Sequence, residues 1–310
     1  MTVPTFLRRG RRAAAARSES APPREVLVLS GGGRLGAAQV GALRALLEAG
    51  IVPDAVVGSS VGAINAAYFA MNPTLEQLER LEVIWSGLSR ADIFPDGWFT
   101  VARRLARRTS HLYSPDRLRA TLAQAIPQRD LGEAAIPCHV VTTDLHTGEA
   151  TWWNTGDPVE VLSASACLPG LFPPVQINGR MYVDGGVSCP VPTQRALDLG
   201  ARRVWVLNLS RDVAGFPRAE HHMSALDVLL ESFAISRAHL AHRAPVHGAD
   251  QQVVRLPALP IDRRDLRDFS QTRRLLEAGH TAGVAMVEAA TQAVFVPGQR
   301  EPSANHAGAA

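Results

Sequence analysis

The residues around Ser60 constrain the fold of this chain more than any other stretch. A short apolar run over 55–57 predicts a buried strand, and the small, helix-favouring residues over 63–71 predict a helix. Between them a G-x-S-x-G pattern runs from Gly58 to Gly62. In a strand–turn–helix context this pattern is typical of a nucleophile elbow, a tight turn that exposes a serine hydroxyl. Glycine is expected at both flanks because a β-carbon there would crowd the neighbouring strand or helix.

Composition limits the class of protein. The 310 residues suffice for one large α/β domain or two small ones. All 32 basic residues are arginine, which excludes a Walker A loop and a lysine Schiff base. Residues 1–24 hold six arginines and one glutamate, so the rest of the chain is slightly acidic and does not predict a nucleic-acid-binding surface. The three cysteines, an odd number, favour free thiols and a cytoplasmic location.

Both ends of the chain are predicted to be disordered. The arm, residues 1–24, lacks the apolar region of about 7–15 residues that a signal peptide needs, and the tail, 297–310, is polar. No stretch of about 18 apolar residues predicts a transmembrane helix. An alternative for the arm is a weak peripheral contact with an anionic membrane. If residues 98–108 are helical, four arginines lie opposite an apolar face there and allow the same contact.

Strand-like and helix-like segments alternate along residues 25–296, which we interpret as one domain. Strands are predicted at 25–30, 55–57, 138–143, 150–153, 181–183, 203–209 and 252–255. One helix is predicted between the first strand and residue 49. Further helices are predicted over 63–71, over 74–126 with polar interruptions, and at 191–199, 225–243 and 272–291. This alternation predicts a mostly parallel sheet with helices on both faces.

A second glycine motif follows the first predicted strand. It comprises Gly31, Gly32, Gly33 and Gly36. The spacing fits a dinucleotide fingerprint, but that fold needs an acidic residue at the end of the second strand, and Asp54 precedes its strand. The alternative is a row of N–H groups at a helix N-terminus that holds the oxyanion of a tetrahedral intermediate. Since the two glycine motifs follow adjacent strands, we expect them at the same edge of the sheet.

The proton acceptor for Ser60 is predicted to be a carboxylate. None of the ten histidines lies in a tight loop straight after a well-marked strand, where the histidine of a triad is expected. Asp184 does follow a strand directly, and Gly185 and Gly186 clear space around it. Burial raises the pKa of a carboxylate, which suits a general base.

These motifs resemble those of the patatin-like phospholipase family. The matching pieces are residues 31–36, 58–62, 143–149, 163–175, 178–180, 184–186 and 199–201, so the resemblance covers about residues 25–210. It implies a three-layer α/β/α sandwich with a mostly parallel central sheet. It also implies that Ser60 is the nucleophile and Asp184 the base of a Ser-Asp dyad. Gly31, Gly32, Gly33 and Gly36 would line the oxyanion hole.

Two positions depart from the family pattern. The family often has Arg or Lys where this chain has Leu35, and Asn or Asp where it has Cys189. Neither position belongs to the implied dyad. The first departure alters the charge expected beside the oxyanion hole.

The resemblance implies a serine acylhydrolase of the lipase or phospholipase A type, with a lipid or phospholipid substrate. No metal, cofactor, nucleotide or nucleic-acid partner is expected. Two alternatives stay open: a general carboxylesterase or thioesterase that acts on soluble esters, and a catalytically idle lipid-binding module. Intact Ser60, Asp184 and loop glycines argue against the idle module.

Overall fold

The computed structural model describes residues 24–93, 110–209, 225–242, 245–259 and 269–294, and the single positions 100, 103, 104 and 107. The predicted arm, apart from Arg24, and the predicted tail lie outside the described residues. Most of the 98–108 segment lies outside them as well.

The centre of the fold is one eight-stranded sheet. Its hydrogen-bonded neighbours follow one another as β5-β6-β3-β2-β1-β7-β8, where β6 and β2 pair with different parts of β3, and β4 also pairs with β3. The strands are β1 Glu25–Leu29, β2 Ala55–Ser59, β3 Cys138–Asp144, β4 Ala150–Trp153, β5 Val175–Ile177, β6 Arg180–Asp184, β7 Arg203–Leu207 and β8 Gln252–Arg255. Strands β3, β2, β1, β7 and β8 are parallel neighbours, whereas β4, β5 and β6 pair antiparallel. The mostly parallel sheet is therefore confirmed.

Helices connect and cover the strands. They are α1 Gly36–Glu48, α2 Val61–Met71, α3 Leu75–Gly87, α4 Arg90–Ile93, α5 Asp116–Ala125, α6 Pro158–Ser165, α7 Thr193–Asp198, α8 Ala225–Ala241 and α9 Thr272–Val294. Two begin at clear caps: the Thr74 side chain accepts the N–H of Gln77 before α3, and Asp157 accepts from Val159 and Glu160 before α6. Within the described ranges, no helix is both long and apolar enough to cross a bilayer.

Apolar residues on both faces of the sheet are covered by helices. Along β1, Leu27 and Leu29 pack into a cluster shared with α1, α2 and α3, whereas Val26 and Val28 pack into a second cluster with α7. This period of two is the geometry of a strand that is buried on both sides. The result is the three-layer α/β/α arrangement that the resemblance implied.

The sequence prediction agrees with the structure over 74–126 and misses two elements. The segment predicted as helical with polar interruptions contains helices α3, α4 and α5 among its described residues. Helix α6 and the three-residue strand β5 were not predicted at all. Short segments of this kind contain too few residues to show a helical or strand period.

Strands β2 and β6 lie on the same edge of β3 and run toward each other. Parallel pairing of β2 with β3 ends at Ser59 opposite Val141, and antiparallel pairing of β6 with β3 ends at Asp184 opposite Thr142. Strand β4 pairs across both of these β3 positions and therefore occupies the other edge. The carboxyl ends of β2 and β6 consequently meet at the middle of β3, which brings the two predicted catalytic residues together.

Candidate active site

Ser60 occupies the sharp turn between β2 and α2. Its φ of 56° and ψ of −130° are rare for a residue with a side chain. A β-carbon at Gly58 would overlap the backbone of Ala63, and one at Gly62 would overlap the carbonyl of Leu29. The flanking glycines therefore let α2 begin directly against the ends of β1 and β2, as the G-x-S-x-G pattern predicts.

The backbone of this turn is held by Ser165, the last residue of α6. The N–H of Ser60 donates to Ser165 Oγ at 3.0 Å, and the Ser165 hydroxyl donates in turn to the carbonyl of Val141 at 2.7 Å. Ser165 is fully buried. Because the main chain of Ser60 is tied to β3 in this way, its side chain is left to make a separate contact.

That contact is with Asp184, whose Oδ2 accepts the Ser60 hydroxyl at 2.6 Å. The other carboxylate oxygen, Oδ1, accepts the N–H of Gly186 at 2.7 Å. Asp184 is completely buried, and burial raises the pKa of its carboxyl above the ordinary value. The positive charge of Arg237 and the hydrogen bonds from Ser60 and Gly186 lower the pKa and so oppose that shift in part.

The glycine loop after β1 uses some of its N–H groups internally. Gly31 N–H donates to the carbonyl of Pro190 at 3.2 Å, and Gly36 N–H closes the short 3₁₀ turn Gly33–Leu35. The N–H groups of Gly32 and Gly33 have no hydrogen-bond partner among the described residues. Gly33 has a φ of +57° and lines the same cavity as Ser60. Two of the four predicted glycines thus keep a donor available, and Gly33 does so at the cavity that Ser60 also lines.

An apolar cavity of about 120 Å³ adjoins Ser60, between α2, α3 and α5. Its apolar lining comprises Val61, Ile64, Leu81, Ile84, Trp85, Leu88, Ile93, Leu118, Leu122, Ala125, Ile126, Ala166, Leu168, Phe172 and Phe269. Among its polar residues, Asn65 bonds Trp85 Nε1, the Gly36 carbonyl and Gln39, so its amide is already engaged within the wall. The cavity is therefore suited to a hydrocarbon chain.

No histidine of the described ranges is part of this constellation. Within the described ranges, no histidine forms a hydrogen bond with Ser60 or Asp184. His139 is buried on β3, where burial lowers its pKa to about 4, and His280 lies 2.8 Å from Glu48 on the surface. No group of three or more His, Cys, Asp or Glu side chains is gathered for a metal ion in the part of the chain that the structure describes.

Sequence reasoning missed two residues of the site. Ser165 lies within the matching run 163–175, but nothing in the run reveals its bond to Ser60. Arg237 lies on α8, where no motif marks it, and its guanidinium reaches Gly31 and Gly186.

Comparison with known proteins identifies the family. The model named Patatin-like phospholipase matches residues 27–197, which is more than half of the chain. The chain belongs to the patatin-like phospholipase family. Membership of this family confirms the resemblance seen in the sequence.

The relatives are distant and most are longer. Mouse patatin-like phospholipase domain-containing protein 7 is 29% identical over 192 residues, which cover 60% of this chain and 14% of that protein. An uncharacterised NTE family protein of Mycobacterium tuberculosis is 28% identical over 216 residues, 66% of this chain and 55% of that protein. Among solved structures, VipD from Legionella pneumophila has a TM-score of 0.47 at 14% identity, covering 87% of this chain and 67% of VipD. This patatin-like chain therefore spans only part of the curated relatives that it matches.

Proposed function

We propose that this patatin-like protein is a serine acylhydrolase of the phospholipase A type, which cleaves lipid acyl esters through a Ser60–Asp184 dyad. One observation carries the proposal: the Ser60 hydroxyl donates at 2.6 Å to a fully buried carboxylate, beside an apolar cavity. This arrangement supports the assignment of a nucleophile, its base and a site for the acyl chain at one place.

The first half of the reaction would form an acyl-enzyme. Ser60 Oγ attacks the ester carbonyl carbon, and its proton passes to Asp184 Oδ2. The raised pKa of Asp184 makes this carboxylate a stronger base than an exposed one. When the tetrahedral intermediate collapses, the bond between the carbonyl carbon and the alcohol oxygen breaks. The leaving alcohol takes the proton from Asp184, and the acyl group stays on Ser60.

The oxyanion of the intermediate would be held by the N–H groups of Gly32 and Gly33, which have no other partner in the described ranges. One such donor is worth on the order of 3–4 kcal/mol to a transition state. We assign Gly31 and Gly36 a packing role instead, since their N–H groups are used elsewhere. A β-carbon at Gly36 would also overlap Trp85 and Val61.

The second half would release the fatty acid. Asp184, ionised again after protonating the alcohol, accepts a proton from water while the water oxygen attacks the acyl carbon. Collapse of this second intermediate breaks the bond to Ser60 Oγ, which recovers its proton from Asp184. The same base thus serves both halves, and the enzyme returns to its starting state.

The lining of the cavity favours lipid esters over small soluble ones. Each buried methylene of an acyl chain contributes about 0.8 kcal/mol to binding in an apolar site. An esterase for short, soluble substrates gains nothing from a wall that includes Leu81, Trp85 and Phe172. A catalytically idle lipid-binding module would not explain the buried hydrogen bond between Ser60 and Asp184.

The direct experiment is hydrolysis of p-nitrophenyl esters and lysophospholipids of graded chain length by the wild type and by Ser60→Ala. We expect kcat/KM to rise with chain length in the wild type, and no turnover by the variant. Preference for the shortest ester would favour the soluble-esterase alternative. No turnover of any ester by the wild type would favour the idle module.

A further inference from the structure

Arg237 occupies the space between the two glycine motifs of the site. A β-carbon at Gly31 would overlap Arg237 Nη2 and would lie 2.9 Å from Ser60 Cβ. A β-carbon at Gly186 would lie 2.9 Å from both Arg237 Nε and Asp184 Oδ1. The guanidinium therefore borders the nucleophile on one side and the base on the other, and the absence of side chains at both glycines makes room for it.

This guanidinium has a donor available for a ligand. Its Nε is buried and has no hydrogen-bond partner within the described ranges. The carboxylate oxygens of Asp184 are engaged by Ser60 and Gly186. The Arg237 Cζ lies 5.6 Å from the ring centroid of Phe233, one helical turn earlier on α8, which helps to orient it. Because buried donors in proteins are nearly always hydrogen-bonded, an oxygen atom of a ligand placed here would satisfy this one.

Arg237 and the acyl cavity lie on different sides of Ser60. That cavity is lined by residues of α2, α3 and α5, by Gly33 and Arg34 of the glycine loop and by residues of the segment 166–172, whereas Arg237 is not part of its wall. With the acyl chain of an ester in the cavity and its carbonyl carbon at Ser60, the alcohol portion must extend elsewhere. An alcohol portion that leaves Ser60 on the side of Gly31 would meet the guanidinium of Arg237.

We propose that Arg237 is a substrate-binding residue that holds a phosphate oxygen in the alcohol portion of the substrate. This inference rests on the proposed function. A guanidinium presents a planar fork of N–H donors that matches the oxygens of a phosphate, and the charge-assisted bond is strong in a site shielded from water. Arg237 therefore makes the enzyme prefer acyl esters that carry a phosphate to neutral glycerides. The residue lies outside the segment 27–197 that the family model matches.

The test compares two substrates with the same acyl chain, lysophosphatidylglycerol and monoacylglycerol, in the same mixed micelles at pH 8. Arg237→Met removes the charge and keeps much of the length, whereas Arg237→Lys keeps the charge without the fork. Arg274→Met, on the exposed face of α9, is the matched control. Melting temperatures establish that each variant is folded.

We expect Arg237→Met to lower kcat/KM for lysophosphatidylglycerol about 10- to 100-fold, the range for loss of one hydrogen bond to a charged group, mainly through KM. The monoacylglycerol value should stay within about threefold, Arg237→Lys should be intermediate, and the control unchanged. Equal losses on both substrates would overturn the proposal, because Arg237 would then act on the dyad alone. An unchanged kcat/KM on both substrates would also overturn the proposal.

A second measurement does not require the variant to fold. sn-Glycerol 3-phosphate should inhibit wild-type hydrolysis of monoacylglycerol competitively, and glycerol at the same concentration should not. Equal effects of the two compounds would contradict a phosphate site at Arg237. Wild-type turnover of monoacylglycerol tests the proposed function by itself, so failure of that function and failure of this inference are distinguishable.

Discussion

Ser60 Oγ and Asp184 Oδ2 lie 2.6 Å apart although 124 residues separate them in the chain. Their proximity follows from the pairing of β2 and β6 with consecutive parts of β3. Hydrogen bonds to this one strand therefore set the positions of both residues. A pair held by sheet hydrogen bonds needs little reorganisation at the moment of reaction, which is the condition for efficient catalysis by fixed groups.

Replacement of the base should lower turnover by orders of magnitude without unfolding the protein. In Asp184→Asn the amide cannot accept the Ser60 proton, so we expect kcat to fall at least 10²–10⁴-fold, the order typical of a lost general base. Asp144→Asn is the control, because Asp144 is also buried and lies at the end of β3, where it pairs with Arg180 at 2.9 Å. It should lose stability and keep most of its kcat. Comparable loss of kcat in both variants would show that any buried carboxylate matters, not Asp184 in particular.

The pH profile should report the environment of Asp184. Only the ionised carboxylate accepts a proton, so kcat should fall as the pH drops through the pKa of Asp184. Because burial raises that pKa, the fall should occur at a higher pH than for an exposed carboxyl group. The charge of Arg237 acts in the opposite direction, so in Arg237→Met the acidic limb should move to still higher pH. An acidic limb that stays in place in this variant would contradict the assignment of the limb to Asp184.

The oxyanion loop can be tested at Gly33. Its φ of +57° disfavours any side chain, so Gly33→Ala should displace the loop N–H groups from the oxyanion. We expect kcat to fall about 10²-fold or more with little change in KM, since the contact forms chiefly in the transition state. Gly50→Ala is the matched control, because Gly50 also has a positive φ, +77°, and no atom lies within 4 Å of the β-carbon that the substitution adds. If Gly50→Ala loses as much kcat, backbone strain explains the effect and the oxyanion assignment is wrong.

The cavity can be shortened from α5. Ala125 lines it, whereas Ala123 on the same helix is exposed. Ala125→Phe should place a ring in the space for the acyl chain and shift the preferred p-nitrophenyl ester toward shorter chains. Ala123→Phe should leave the preference unchanged. The measurement is kcat/KM across the chain-length series, and an unaltered series in Ala125→Phe would place the acyl chain elsewhere.

The sequence predicted most of the sheet because its strands are continuous apolar runs that end in glycine or polar residues. Ser60 and Asp184 could be proposed as site residues for the same reason: each follows a predicted strand and lies close to glycines in the sequence. Ser165 and Arg237 could not. Ser165 acts through a hydrogen bond to a residue 105 positions away. Arg237 reaches the site only because α8 packs against both glycine motifs, and no local pattern encodes that contact.

The most direct test of the Ser60–Asp184 dyad is to locate the covalent adduct of a fluorophosphonate probe by mass spectrometry. The reagent reacts with an activated serine, and Ser59, buried next to Ser60 in the same turn, is the internal control. We expect one adduct, on Ser60. It should persist in Ser59→Ala and disappear in Ser60→Ala and, within the same reaction time, in Asp184→Asn. An adduct on Ser59, or undiminished labelling of Ser60 in Asp184→Asn, would contradict the Ser60–Asp184 dyad.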